Sequence, residues 1–326
     1  MADEILEPAI MSKFLEKPTT LREQVWPDNT TPLVSISCIT YNHEKFIRDA
    51  IEGFINQKTT FPVEILIHDD ASTDGTTDII KEYERKYPKL IKPIYQSENQ
   101  FSKGKSVGSN NRTRAIGSYI ALCEGDDYWT DPLKLQKQTY FLENNKNYSM
   151  VCTNYSIVDE NKHFINLEAW KGDKTKSCIN QEDILGKYTP QTLTVLLRNS
   201  CLKKIDTEFS NYNFPNGDVA LFSAITAFGP CYFINEITGC YRENKEGIWT
   251  QKNTHQKLVM RYRTFKSLLL FFSKEKELRE IIIHRLIIIC RVLLIISFKK
   301  GNLSDVIIYL YLLHLYYFKL LLSKLK

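Results

Sequence analysis

A mostly parallel, doubly wound α/β sheet of Rossmann-like type is predicted for the first two thirds of this chain by three observations. Apolar, β-branched runs of strand length alternate with amphipathic helical stretches between residues 33 and 123. Each run stops abruptly in polar or acidic residues: Thr40-Tyr41-Asn42, then Asp69-Asp70, then Glu124, Asp126 and Asp127. Ligands of such sheets bind beyond the carboxyl ends of the strands, so the three clusters are expected on one rim.

The elements follow in order. Residues 1–31 read as an irregular N-terminal arm punctuated by Pro8, Pro18 and Pro27. LVSISCI (33–39) has the β-branched, apolar character of a buried strand. Residues 44–56 place Phe46, Ile47, Ala50, Ile51, Phe54 and Ile55 on one helical stripe. VEILIHDD (63–70) is a second strand running into acid, 76–87 a second amphipathic helix, and 90–95 a short third strand. A polar segment and a helix then lead to the strand 119–123. Beyond Pro132 the sequence predicts a helix over 133–144, a strand over 148–155, a loop-rich stretch over 156–180, and a strand over 192–197. A helix over 217–228 follows, then a pair of short strands, 231–234 and 237–241.

The stretch IALCEGDDYWTDP (120–132) carries the strongest chemical signal. Three acidic side chains crowded at a strand end repel one another unless a positive group sits among them. A divalent cation held by carboxylate oxygens, its shell completed by a phosphate-bearing ligand, removes that repulsion. A plain surface turn also uses Gly-Asp-Asp, so the reading rests on the other two clusters as well. In HDDASTDGT (68–76), Ser72, Asp74 and Thr76 suit turn and helix-cap duty, which leaves the Asp69-Asp70 pair unexplained by local structure.

The bulk composition excludes several classes. A chain of 326 residues, 43% hydrophobic and 25% charged, suits one large core or a core with an appendage. Its formal charge is +5, with the basic excess heaviest in the last third, and no basic-aromatic module for nucleic acid is present. Eight scattered cysteines form no CxxC pair, which argues against a zinc cage or redox motif and favours a reducing, cytoplasmic location. The amino terminus has charges throughout and lacks the apolar core of a secretory signal.

From residue 251 onward three apolar helices are expected, over 257–272, 278–298 and 305–325. The run IIIHRLIIICRVLLIISF is near the length of a minimal membrane span but contains His284, Arg285 and Arg291. Each charge at a bilayer centre costs roughly 2.5–3.5 kcal/mol. A helix lying in the membrane plane avoids that cost, and Lys299, Lys300, Lys319 and Lys324 suit an anionic lipid surface. Packing on the domain itself or on a second copy of the chain, in a homo-oligomer, is the other reading of the same pattern.

The order of strand-TYN, HDDASTDGT, SYIALCEGDDYW and NGD resembles the family-2 glycosyltransferases, particularly those that build bacterial surface glycans. The resemblance covers roughly residues 32–250. It implies a GT-A fold with a donor half (32–131) and an acceptor half (132–250), followed by a C-terminal helical appendage (251–326). It further implies a metal-dependent inverting transfer from a nucleotide-sugar donor, UDP- or similar, to a glycan or lipid-linked acceptor. By that resemblance Thr40, Tyr41, Asp69 and Asp70 hold the nucleotide. Glu124 and Asp126 occupy the ends of the family's Asp-x-Asp motif, the first Asp being Glu here. Asp126, supported by Asp127, would bind Mn²⁺ or Mg²⁺ on the diphosphate. Asp218, opening a helix after Asn216-Gly217, takes the place of the catalytic base, and a positioned carboxylate typically contributes about 10²–10⁴-fold. In YRENKEGIWT, Asn244 stands where the family often has a metal-proximal His. Arg242 and Trp249 are candidates for the phosphate and sugar pockets, and Trp129 for stacking on a sugar face.

Two other classes stay open on the residues alone. A sugar-phosphate nucleotidyltransferase would share the sheet and the acids, but it usually wants a Gly-rich phosphate loop after the first strand, which TYNHEKF is not. A membrane-docked scaffold without turnover would tolerate Asn244 but has no need of Asp126, Asp127 and Asp218.

Overall fold

The computed structural model describes residues 15–170, 172–186, 189–209, 211–245, 247 and 249–324. The first half of the N-terminal arm, 1–14, lies outside the described residues. The chain forms two compact units. One comprises the described residues within Met1–Cys178, Pro190–Leu202 and Cys231–Glu243; the other those within Ile179–Thr189, Lys203–Pro230 and Asn244–Lys326.

The first unit carries β1 (Thr19–Thr20), β2 (Val34–Thr40), α1 (Ile47–Ile55), β3 (Lys58–Thr59), β4 (Val63–Asp69), α2 (Thr76–Lys86), β5 (Ile91–Tyr95) and α3 (Val107–Arg114). It continues with β6 (Tyr119–Glu124), β7 (Tyr128–Trp129), α4 (Lys134–Asn144), β8 (Met150–Val158), β9 (Phe164–Asn166), β10 (Leu196–Arg198) and β11 (Cys231–Arg242). The main sheet path runs β11-β8-β10-β6-β2-β4-β5. β6, β2, β4 and β5 are mutually parallel, while β10 runs antiparallel to both of its neighbours. The predicted doubly wound sheet is therefore present, and its matched ends put Thr40 opposite Asp69 and Ile39 opposite Glu124.

Strict alternation in β2 explains how the sheet is covered. Val34, Ile36 and Cys38 join Ile65, Ile67, Ala121 and Cys123 in a core shared with Ile47, Ala50, Ile51, Phe54 and Ile55 of α1. Each large side chain so buried stabilises by about 1.5–3 kcal/mol. The intervening Ser35 donates to Glu64 (2.6 Å), and the side-chain amide of Asn111 on α3 donates to Cys38 O and Leu66 O. Asn111, fully buried, thus stitches two parallel strands together.

Three details depart from the sequence reading. Residues 231–242 form one strand parallel to β8, with register shifts at Ile234/Ile237 and Ile237/Cys240; the expected strand pair is a bulge, because Asn235-Glu236 makes no reversal. Within the expected loop 156–180, β9 pairs with β8. The described part of the arm is not wholly irregular, since β1 pairs with β3 and Leu21 is buried.

The second unit is helical: α5 (Gln181–Gly186), most of α6 (Asn199–Phe209), α7 (Gly217–Ile225), α8 (Thr254–Phe271), α9 (Lys276–Lys299) and α10 (Leu303–Lys324). The C-terminal helices pack with the earlier ones through Phe209, Phe214 and Phe271 and through Arg285 Nε donating to Leu185 O (3.1 Å). α9 ends in a Schellman cap: Gly301, at φ +67°, donates to Phe298 O and Asn302 to Ser297 O. The Asn302 side chain then accepts from the Asp305 N–H, which starts α10 antiparallel to α9. α9 and α10 are each long and apolar enough to cross a membrane; nearly half of that stretch is buried in α9 and less than a fifth in α10.

Candidate active site

The acidic turn between β6 and β7 is built for close approach. A Cβ on Gly125 would lie 2.6 Å from Thr40 Oγ1, so only glycine lets the turn fold against the end of β2, where its N–H donates to Ile39 O (2.9 Å). Oxygens of Glu124, Asp126 and Asp127 lie within 4.8 Å of one another. Asp127 is buried; its Oδ1 accepts the Arg242 N–H (2.9 Å), and its Oδ2 has no hydrogen-bond partner among the described residues. Burial, and then the charges of Asp126 and Glu124, push its carboxyl well above the ordinary range. A buried carboxylate with an orphaned oxygen, grouped with two more carboxylates, is a donor set that a hard divalent cation satisfies, and all three residues fit Mn²⁺ or Mg²⁺.

His43 is the residue that sequence reasoning passed over. Its Nε2 stands 3.7 Å from Asp126 Oδ2 and its Nδ1 3.2 Å from Thr40 Oγ1. The only signal for it was its place in the TYNHE loop at a strand end.

Two expectations are corrected and a third is narrowed. Arg242 does not present its guanidinium to a phosphate: the side chain is 1% exposed and bonds Asp49 Oδ2 (2.8 Å), Asp126 O (2.9 Å) and Glu160 O (3.2 Å). Trp129 offers no face to a sugar; its ring is buried edge-on against Phe54, lies under Lys134, and donates Nε1–H to Leu193 O (2.8 Å). Asp69 is buried and engaged by its own loop, Oδ1 accepting from Ser72 N–H (3.0 Å) and Ser72 Oγ (2.6 Å) and Oδ2 from Thr77 Oγ1, which leaves one lone pair on Oδ2.

The neighbouring loops keep the remaining nucleotide candidates at the rim. Asp70, also buried, accepts the N–H groups of Gln100 (2.8 Å) and Phe101 (3.0 Å), one on each oxygen, which leaves a lone pair on each. Thr40 is buried beside the acidic turn, while Tyr41 is exposed. Asn42 and Ala71 both adopt left-handed backbone, φ +55° and +64°. Asn42 is held there by its side chain accepting from Thr73 N–H and its own N–H donating to Ser72 Oγ. Ala71 has no such compensation, and a residue of that type held at positive φ stores about 1–3 kcal/mol of strain.

In the second unit, Asp218 lies in the first turn of α7 and is half-buried, its Oδ1 accepting from Val219 N–H (2.8 Å). Burial raises its pKa, opposed by the local N–H groups and by Arg261. The start of α7 is pinned to α8 by Asn216 N–H donating to Thr264 Oγ1 (2.9 Å). Asn244 is buried; Trp249 is half-buried with the Lys257 ammonium over its ring at 5.3 Å.

Comparison with known proteins decides the family. The model of the glycosyl transferase family 2 matches residues 35–203. The chain belongs to glycosyl transferase family 2. An uncharacterized protein of Mycobacterium tuberculosis is 36% identical over 231 residues, 69% of this chain and 62% of the relative, so the match spans about three fifths of that relative's length. The Escherichia coli glucosyltransferase WfaP, named for transfer from UDP-Glc to α-D-GlcNAc-diphosphoundecaprenol, is 36% identical over 41% of this chain and 49% of its own. Among solved structures, the mannosyltransferase PcManGT of Pyrobaculum calidifontis, in complex with GDP-Man and Mn²⁺, aligns with TM-score 0.52 and 16% identity over 92% of this chain and 87% of its own. The likeness establishes the GT-A fold for this family-2 chain.

Proposed function

We propose that this chain is a metal-dependent, inverting glycosyltransferase of the hexosyltransferase type. It would move a sugar from a nucleotide donor, UDP- or similar, to a hydroxyl of a glycan or lipid-linked acceptor in surface polysaccharide synthesis. The observation that carries the reading is the orphaned Asp127 Oδ2 among three converging carboxylates at the rim of a parallel sheet. The donor complex of PcManGT and the name of WfaP support the substrate classes.

Asp126 and Asp127 would hold Mn²⁺ or Mg²⁺, with Glu124 beside them. The cation supplies neutralisation of the charge that builds on a departing diphosphate. Thr40, Tyr41 and Asp70 would hold the nucleotide, and Trp249 would shape a sugar pocket. Asp218 would take the proton of the attacking hydroxyl, and its raised pKa makes it a stronger base than an exposed carboxylate. Inversion follows from a single displacement with no covalent intermediate on the enzyme.

The reading includes a place of action, the inner face of the cell membrane. α9 exposes Ile288, Val292, Ile295 and Phe298 along one stripe, and the cations Arg291 and Lys299 lie on the same face. α10 adds Ile307, Leu310, Tyr311, Phe318 and Leu321. Apolar anchors interleaved with cations suit the surface of an anionic bilayer. Donor turnover assayed with Mn²⁺ tests the enzymatic part: Asp126→Ala should abolish it, and undiminished turnover in that variant would overturn the assignment. Flotation with anionic liposomes tests the surface part: Ile295→Glu/Phe298→Glu should lose binding, and unchanged flotation would refute it.

A further inference from the structure

Arg242 is a fully buried cation used nowhere in the chemistry above, and its surroundings explain why it is there. Its N–H is bonded to Asp127 Oδ1 (2.9 Å) and its Nε–H to the backbone carbonyl of Asp126 (2.9 Å), so one residue grips both aspartates of the acidic turn without touching the oxygens left for a cation. Nη1 reaches Glu160 O in the β8–β9 turn (3.2 Å), and Nη2 pairs with Asp49 Oδ2 on α1 (2.8 Å). The guanidinium also lies over the rings of Phe46 (4.7 Å) and Tyr128 (5.1 Å), which fix its plane. Asp49 is held in turn by Lys162, whose Nζ lies 2.8 Å from Oδ1.

We infer that Asp49 and Arg242 form a positioning clamp that fixes the Asp126-Asp127 turn in its metal-binding geometry. The inference rests on the metal reading of that turn and assigns new duties to two residues outside it. The physical argument is one of connectivity. The turn comprises few residues and carries three mutually repelling carboxylates, so without an external tether it would open to separate them. Arg242 supplies the tether through its backbone N–H, placed by strand β11, and through its Nε, and the Nε bond requires the side chain to lie in one orientation. Among the described residues Asp49 is the one carboxylate bonded to Arg242's terminal nitrogens, and its loss frees the guanidinium to rotate. The clamp is built from α1, β7, β11 and the β8–β9 turn, so the geometry of the turn is set by elements that themselves contribute no ligand.

A positioning role predicts a change in metal affinity without a matching loss of fold. Mn²⁺ binding to the full chain, measured by the loss of free Mn²⁺ signal in electron paramagnetic resonance, reads it directly and needs no turnover. Changing residues that orient metal ligands typically weakens binding about 10–100-fold. Arg242→Lys, which keeps the charge but cannot make the Nε and Nη bonds together, is expected to fall in that range. Asp49→Ala, at a partly exposed position, should also weaken Mn²⁺ binding, and Asp49→Asn, which restores an acceptor oxygen, should recover most of it. Asp126→Ala serves as the reference: if it binds Mn²⁺ like the wild type, the metal reading fails and the clamp with it. If Asp126→Ala loses binding while Arg242→Lys and Asp49→Ala keep wild-type affinity, the clamp alone is overturned. Should Arg242→Lys not fold, the Asp49→Ala and Asp49→Asn pair decides by the same criterion.

Discussion

Replacing Asp127 by Asn should raise stability in the absence of metal and forgo most of the stability that metal adds. In the metal-free protein the three carboxylates lie within 4.8 Å, and two unit charges at that distance repel by about 3.5 kcal/mol at an effective dielectric of about 20. Burial holds the Asp127 carboxyl well above its ordinary range, so the folded state meets this repulsion partly by keeping a proton on Asp127; with Glu124 and Asp126 partly exposed and screened, the relief from substituting Asn is about 1–3 kcal/mol. The introduced amide keeps an oxygen for the Arg242 N–H, and its nitrogen places donors where Oδ2 now has no partner. For a unit of this size each kcal/mol is worth about 2–4 °C, so Asp127→Asn should melt about 2–12 °C higher than the wild type in chelator. Added Mn²⁺ stabilises whatever binds it, by about 2.7 kcal/mol at a hundred times Kd, and the variant should gain little of this. Scanning fluorimetry in chelator and in Mn²⁺ measures both terms. A lower melting temperature for Asp127→Asn in chelator would refute the reasoning, since Asp127 would then be a satisfied structural group.

Asp218 has its pKa raised by burial, so its basic form appears only above the ordinary carboxyl range. Transfer rate should therefore rise along an acid limb displaced upward from 3.8, and Asp218→Asn should lose about 10²–10⁴-fold in kcat together with that limb. The same shift means the folded state holds this proton more tightly than the unfolded one. Its contribution to stability is complete at low pH and is lost as pH rises through the raised pKa, so Asp218→Asn should flatten that slope in pH-dependent melts. Trp129→Phe should cost stability, about 0.5–1.5 kcal/mol for the lost bond to Leu193 O plus packing, and leave KM for donor and acceptor unchanged. A raised KM with unchanged stability would restore the ring to a sugar pocket.

The sheet was legible because its central strands β2, β4 and β6 are buried on both faces and punctuated by helices of clear period. The acidic turn was legible because repulsion among Glu124, Asp126 and Asp127 demands a remedy whatever the fold. The errors came from side chains whose surroundings are supplied by distant segments. Arg242 and Trp129 sit beside the chemistry in sequence, yet the partners that bury them, Asp49, Glu160, Phe54 and Leu193, are remote in the chain. Nothing local to Asp69 says that Thr77, eight residues on, bonds its second oxygen. The bulge in β11 escaped notice for the same reason, because only pairing with β8 distinguishes a bulge at Asn235-Glu236 from a reversal. The tail was read correctly as helical, but its packing with 179–189 and 203–230 depends on aromatic contacts that no single helix reveals.

The central claim is that a divalent cation sits among the carboxylates beyond β6 and carries the donor's diphosphate. Anomalous diffraction from a crystal grown with Mn²⁺ and a nucleoside diphosphate tests it most directly. The account predicts a manganese peak within bonding distance of Asp126 and of the Asp127 Oδ2 that now lacks a partner. A peak elsewhere, or none while the nucleotide is bound, would contradict it.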